Sequence, residues 1–338
     1  MLEFYDKNEK FILPISRRNE VVNFVKQGLK DLSVSRTSFT WGIKVPNHNN
    51  HVIYVWLDAL TNYLSALNFP DINNDLYKKY WPASVHIIGK DILRFHAIYW
   101  PAFLLAADIP PPKRIFGHGW ILSGDEKMSK SKGNILNPLE IIEKYGIDAL
   151  RYYLMKEVSH GSDGSISLKS LENCINSDLA NNYGNLCQRI FSFIKTNCNN
   201  KIVKNENLSD TDKKLINEVN ILTKNLRDLI DNQDLNNYIK SVIKISFLTN
   251  KYINDEEPWK LKKNNIKKMN NILHLSLEQI AKISILLNPI IPESTNKVLN
   301  ALNIKEDQKD LSFLDKKKIF PNDININDLD ILFKKIVR

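Results

Sequence analysis

The chain has 338 residues, 43% of them hydrophobic, enough for a large core and two or three domains. A formal charge of +9 favours an acidic partner such as nucleic acid, although Lys, Asn and Ile are abundant throughout and the charge belongs to no single patch. No apolar run reaches membrane-spanning length, no signal-peptide pattern opens the chain, and Cys174, Cys187 and Cys198 lack Cys-x-x-Cys pairing; this argues against a membrane span, a disulfide framework or a zinc site and suits a reducing cytoplasm.

Residues 19–32 place Val21, Val22, Phe24, Val25 and Leu29 at helical spacing and predict a helix. Residues 32–45 read as extended and close at the turn Pro46-Asn47. One helix and a ribbon without obvious partners make an incomplete start, so an upstream part is expected. From His51 the pattern becomes α/β: a short strand at 51–55, an aromatic helix containing Trp56 and Tyr63, and a strand at 84–88 ended by Gly89-Lys90-Asp91. A long helix over 92–107, interrupted by Pro101, leads to a third strand over 114–122. Strands separated by helices argue for a parallel sheet with ligands at the strand C-termini.

Helices are predicted over 138–145 and 148–158, with a turn at Gly161–Gly164 and a domain boundary near Ile166. Beyond it the chain is helical over 168–197, 210–229, 235–253, 268–287 and 293–302, punctuated by Pro258, Pro289 and Pro292. Short connections suggest an antiparallel bundle. The tail after Lys305 is polar and expected to be loosely structured, with 329–336 docking back.

Between the third strand and the first of these helices lies the stretch Gly124-Asp-Glu-Lys127-Met128-Ser129-Lys130-Ser131-Lys132-Gly133-Asn134, which has no hydrophobic period and reads as a loop. A Lys/Ser loop is commonly a solvated basic turn. The ordered pentapeptide Lys127 to Ser131, however, should arise by chance in such a chain on the order of once in ten thousand. It matches the signature loop of class I aminoacyl-tRNA synthetases. The chemistry fits: when a carboxylate attacks the α-phosphate of ATP, charge builds on the departing pyrophosphate, and a mobile ammonium pair stabilises it in the transition state.

The stretch His86-Ile87-Ile88-Gly89-Lys90-Asp91-Ile92-Leu93-Arg94-Phe95-His96 resembles a signature of the methionyl-tRNA synthetases, and Val55-Trp56-Leu57-Asp58-Ala59 with Tyr63 resembles their methionine pocket. The similarity runs from about Leu2 to about Pro321. Alone, Asp91 reads also as a helix N-cap, and His96, Tyr99 and Trp100 as an aromatic core stripe at i, i+3 and i+4. The resemblance instead makes Asp91 the ribose anchor and lines Trp56, Ala59, Tyr63, His96, Tyr99 and Trp100 along a methionine pocket, where aromatic edges suit a polarisable sulfur. Lys130 becomes the main transition-state cation with Lys127 its helper, and Met128, Ser129 and Ser131 join them against ATP. Asn185 and Arg189, one turn apart, and Trp259 after Pro258 read as a polar face and a packing tryptophan; the resemblance carries them over as anticodon readers, amide and guanidinium to base edges and indole as a stacking platform.

The implied fold is α/β plus all-α: a partial Rossmann-type parallel sheet with a stem-contact region, then an α-helical anticodon-binding bundle. The implied division is 1–47, a remnant of an inserted domain with its return ribbon; 48–115, the second half of the nucleotide fold; 116–166, the stem-contact region; and 167–338, the anticodon-binding domain. The family's early His-Ile-Gly-His signature is absent, as are the zinc-knuckle cysteines of its inserted domain. The expectation is a methionine–tRNA ligase using ATP with Mg2+, acting on methionine and on initiator and elongator methionine tRNAs in the cytoplasm, with no membrane partner and incomplete as this chain. The alternative is a non-catalytic anticodon-binding fragment or subunit that needs a separate N-terminal half.

Overall fold

The computed structural model describes residues 1–124, 126–128, 136–158, 161–204, 207–315 and 319–337. The chain separates into two compact units, Met1–Trp120 with Gly161–Asp163, and Ile121–His160 with Gly164–Arg338. Segment 116–166, read from sequence as one region, therefore contributes to both.

The first unit runs α1 (Leu2–Lys7), β1 (Ile12–Leu13), α2 (Ile15–Lys26), β2 (Ser35–Arg36), β3 (Lys44–Val45), β4 (His48–Ile53), α3 (Val55–Ser65), α4 (Asp75–Tyr80), β5 (His86–Gly89), α5 (Trp100–Ala106) and β6 (Ile115–His118). Its parallel sheet has the order β1-β6-β5, with Ile12 opposite Ile115 and His86 opposite the same residue on the other side. The beginning of the chain, expected to be the remnant of an inserted domain with its return ribbon, thus supplies a strand of the parallel sheet. Tyr5, Phe11, Ile12, Val21 and Val25 share one core with Ile88, Leu93, Ala97, Ile98 and Ile115, and the buried Tyr5 hydroxyl donates to the Ala97 carbonyl at 2.7 Å. A two-residue strand carries no period, which is why it escaped the sequence reading.

The strand expected at 51–55 to open the parallel sheet belongs elsewhere. Its first three residues end β4, the centre of an antiparallel ribbon of order β2-β4-β3, and Val55 already opens α3. The turn at Asn47, with φ 64°, joins β3 to β4 directly, and so short a connection can only return the chain antiparallel. The expected strand over 114–122 also divides: β6 ends at His118, and Ile121–Ser123 joins a different sheet. The expected continuous helix over 92–107 is a 3-10 turn (Lys90–Ile92), a wide π turn (Phe95–Tyr99) and then α5. Pro101 has no N–H to give to the turn before it, so the regular i→i−4 ladder cannot run through.

The second unit runs β7 (Ile121–Ser123), β8 (Glu126–Lys127), α6 (Pro138–Tyr145), α7 (Ile147–Glu157), β9 (Gly164–Ile166), α8 (Leu168–Cys174), a π segment (Ile175–Gly184), α9 (Asn185–Cys198), β10 (Lys201–Val203), α10 (Asp210–Lys224), α11 (Leu226–Asp231), α12 (Leu235–Glu256), α13 (Pro258–Leu261), α14 (Ile266–Leu287), α15 (Pro292–Ala301) and β11 (Asp323–Asn325). Helix α14 is apolar almost all round and forms the axis of the bundle, with Ile272, Leu273, Leu277, Ile280 and Ile283 fully buried. Asp148 of α7 is buried and accepts from the Ser294 backbone N–H at 2.6 Å, satisfying an orphan donor in the first turn of α15. The tail is more ordered than expected: β11 pairs antiparallel with β10. Its end does dock. Asn176 exchanges two hydrogen bonds with the Ile336 backbone, at 3.0 and 2.8 Å, and Leu329, Leu332 and Phe333 pack on the helical core.

Candidate functional site

Helix α3 presents Trp56, Ala59 and Tyr63 on one face. Trp56 stacks on Phe95 with ring centroids 3.8 Å apart and planes 9° apart, and meets His96 edge-on at 6.2 Å. The Tyr63 hydroxyl lies 3.0 Å from His96 Nε2, and His96 Nδ1 lies 3.1 Å from the Ile92 carbonyl oxygen. A carbonyl only accepts, so Nδ1 carries the hydrogen. His96 is 3% exposed, and burial, partly opposed by the bond to Ile92, pushes its pKa below the ordinary histidine value. The ring is therefore neutral at pH 7, and Nε2 accepts from Tyr63. Trp100 closes the box, 6.2 Å from Tyr63, with a buried Nε1 that has no partner among the described residues.

The wide turn over Phe95–Tyr99 separates residues that a regular helix would align. His96 and Trp100 face Tyr63, whereas Tyr99 packs edge-on to Phe95 and against the core around Tyr5 and Leu93. Two residues that sequence reasoning did not select, His86 and Trp81, complete the wall. His86 stacks on Tyr63 at 4.2 Å and is edge-on to His96 at 6.3 Å; Trp81 meets Trp100 at 6.1 Å. Burial, and then the neighbouring His96, push the His86 pKa down to about 4. The signal for His86 was its place at the head of the signature stretch and of the strand that leads to Asp91.

At the C-terminal ends of β5 and β6, Asp91 is exposed in the 3-10 turn and makes no capping hydrogen bond among the described residues. Its Oδ1 sits 2.6 Å from where a Gly89 side chain would begin, and His118 Cε1 is 3.9 Å from the same point. A glycine at that position leaves the carboxylate and the imidazole together over the strand ends, where parallel sheets bind ligands. Beside them, Lys90 Nζ lies 2.7 Å from both carboxylate oxygens of Asp163 and 4.1 Å from the centroid of the Trp120 ring. The Trp120 backbone N–H donates to the same carboxylate at 2.9 Å, and Lys90 foremost holds the Asp163 carboxyl below its usual value.

The Lys/Ser stretch begins as a hairpin. Strand β7 pairs with β8, reversing at Gly124 with φ 64°, and Lys127 stands opposite Leu122. Met128 packs on the helical core and anchors the loop's entry. Ser129, Lys130 and Ser131 lie outside the described residues.

In the helical unit, Asn185 opens α9 and is exposed, with Arg189 one turn later. Arg189 Nη2 donates to Asn254 Oδ1 at 2.8 Å, and its guanidinium lies 5.5 Å from the Trp259 ring centroid. Trp259 is 42% exposed on the short α13, aimed there by the left-handed backbone of Glu257, φ 44°. The structure thus brings Arg189 and Trp259 together across 70 residues of chain and adds Asn254, which positions the guanidinium. Among the described residues, no group of three or more His, Cys, Asp or Glu side chains could hold a metal, and no helix is long and apolar enough to cross a membrane.

The family described as tRNA synthetases class I (M) matches residues 1–191, and the anticodon binding domain of methionyl tRNA ligase matches residues 202–338. The methionine–tRNA ligase of Brucella suis is 46% identical over 91% of this chain, and that of Rickettsia conorii is 46% identical over 99% of it. The Mycobacterium tuberculosis methionyl-tRNA synthetase bound by methionyl-adenylate superposes with a TM-score of 0.93 at 40% identity, over 98% of this chain. The chain spans 60% and 66% of the two ligases and 66% of the mycobacterial enzyme. With both halves of the sequence matched and the fold shared, the chain belongs to the methionyl family of the class I tRNA synthetases.

Proposed function

We propose that this chain is the part of an ATP-dependent methionine–tRNA ligase that holds methionine, grips the adenosine and reads the tRNA anticodon. The reaction has two steps. The methionine carboxylate attacks the α-phosphate of ATP, giving methionyl-adenylate and pyrophosphate; the terminal ribose hydroxyl of the tRNA then takes the methionyl group and releases AMP.

The observation that carries this reading is the aromatic box of Trp56, Tyr63 and Trp100 around a neutral His96. An unbranched thioether fits such a box, because polarisable sulfur is attracted to aromatic edges and asks for no charge. Ala59 leaves room on the same face of α3. Tyr99 packs away from the box and supports Phe95 rather than the ligand. The mycobacterial relative binds methionyl-adenylate, in line with a shared pocket.

Asp91 would accept hydrogen bonds from the ribose hydroxyls at the strand ends. Lys130, helped by Lys127, would stabilise the pyrophosphate as it departs, with Met128, Ser129 and Ser131 shaping the loop around the nucleotide. Magnesium would arrive on the ATP phosphates as part of the substrate. Asn185 and Arg189 would bond the edges of unstacked anticodon bases while Trp259 stacks on one, in both initiator and elongator methionine tRNAs. Three unpaired cysteines suit a reducing cytoplasm.

ATP–pyrophosphate exchange tests the proposal, run on the chain alone and on the chain co-expressed with the remaining part of a relative. Exchange that depends on methionine and falls with Lys130→Ala supports it. Exchange driven better by another amino acid overturns it. Anticodon-dependent tRNA binding without exchange in either arrangement would favour the non-catalytic alternative.

A further inference from the structure

Asn185 and Arg189 do not stand on a flat face. They lie at one end of a groove of about 610 Å³ between α12 and the helix formed by the π segment and α9. Its far wall is one stripe of α12: Lys240, Ile243, Lys244, Phe247, Asn250 and Asn254 recur at helical spacing over about 21 Å of axis. Asn254, the partner of Arg189, ends that stripe, so the groove continues directly from the proposed anticodon readers.

Three features point to what the groove takes. Phe247 is 54% exposed on an otherwise amphipathic helix, with Lys244 Nζ 4.8 Å from its ring centroid. Lys240 and Lys244 form no ion pair among the described residues, and the one carboxylate of the lining, Asp178, is already held by Lys156 at 2.8 Å. Asn181 and Asn185 keep their amides free of hydrogen bonds among the described residues, whereas Asn182 and Asn250 are bonded to each other and brace the wall. An exposed ring, free amides and unpaired cations are what a strand of unpaired nucleotides requires: a platform for a base, donors and acceptors for its edges, and charges for its phosphates.

We propose that this groove binds the single-stranded RNA that continues from the bases read at Arg189 and Trp259, with Phe247 as a second stacking platform and Lys240 and Lys244 as phosphate contacts. The inference rests on the anticodon reading above. A polypeptide partner would need a continuous apolar strip, and Ile243 and Phe247 are the stripe's only apolar members.

The test is fluorescence anisotropy of a labelled methionine-tRNA anticodon stem-loop with the full 338-residue chain. Phe247→Ala should weaken binding about 5- to 150-fold, the usual range for one base–aromatic stack, and Phe247→Tyr should restore it. In an abasic scan of the loop, one position outside the anticodon should lose as much as Phe247→Ala, with no further loss when the two are combined. Lys240→Gln and Lys244→Gln should each lower the slope of log affinity against log salt by about 0.7. Phe247 is 54% exposed and outside the buried core, and matched circular dichroism melts control for folding. Wild-type binding by Phe247→Ala alongside a weakened Trp259→Ala overturns this inference and leaves the anticodon reading standing. Wild-type binding by both overturns the two together.

Discussion

The imidazole of His86 lies against the ring of Tyr63, with centroids 4.2 Å apart and planes at 29°, so the tyrosine that donates to His96 is itself braced from behind. The stack keeps His86 dry and neutral. Its pKa of about 4 in the folded chain stands below the ordinary 6.5, so between these values the unfolded chain binds a proton that the folded chain refuses. Stability therefore rises with pH across that window and is lost as pH falls through it, by up to about 3 kcal/mol. Urea unfolding at pH 7 and pH 4.5 checks this: His86→Phe should flatten much of the drop. An unchanged drop would show that His86 is not the group refusing the proton.

Tyr63→Phe removes one oxygen and leaves His96 Nε2 a buried acceptor with no donor. Such an orphan costs about 1–3 kcal/mol. Under the proposed function, and with the remaining part of a relative supplied, the variant should show methionine KM raised on the order of tenfold with kcat much less affected, since the pair would shape the pocket and touch no reacting atom. A collapse of kcat at unchanged KM would place Tyr63 in the chemistry instead.

Lys130→Ala should do the reverse. In the role proposed for it, the charge it would answer exists only as the bond to pyrophosphate breaks, so the activation barrier should rise by about 3–4 kcal/mol while methionine affinity holds. Lys132→Ala, outside the pentapeptide, should matter far less. Pyrophosphate exchange against methionine concentration separates the two.

Trp259→Ala should cost about 1–3 kcal/mol in binding a methionine tRNA, and little against the same tRNA with a changed anticodon. Asn254→Ala frees the guanidinium that it holds at 2.8 Å, so it should weaken the same discrimination by a smaller amount. Lys262→Gln and Lys263→Gln should weaken all tRNAs alike. Equal loss of both tRNAs on Trp259→Ala would reduce the indole to packing.

Gly119 has no room for a side chain: a methyl there would lie 2.1 Å from the Ser162 carbonyl oxygen and 2.4 Å from the Asp163 nitrogen. Backbone cannot step aside as a flexible side chain can. Gly119→Ala should push the 161–163 segment off, break the Lys90–Asp163 pair and destabilise the fold by about 1–3 kcal/mol. A thermal melt reads it; an unaltered midpoint would mean the close approach is not maintained in solution.

Family, fold class and most helices were legible in the sequence, because long helices repeat their apolar residues every turn and the Lys127–Ser131 pentapeptide has an order that chance does not supply. The stretch over 32–45 was legible as extended and 51–55 as a strand, but their pairing was not, since hydrophobic pattern says nothing about which strand lies alongside. Strands β1, β10 and β11 were missed because two or three residues carry no period.

The sequence by itself determined which chemical groups are present: the ordered lysines and serines, the aromatic residues with His96, and Asn185, Arg189 and Trp259. Only the tertiary structure decided which of them meet. It turned Tyr99 away from the box through one wide helical turn, set His86 behind Tyr63, fixed the His96 tautomer by pairing it with Ile92, and closed Arg189 against Trp259. The reason is physical: periodicity and motif are local along the chain, whereas a tautomer, a depressed pKa or a stacked pair depends on neighbours that only packing brings within a few ångströms.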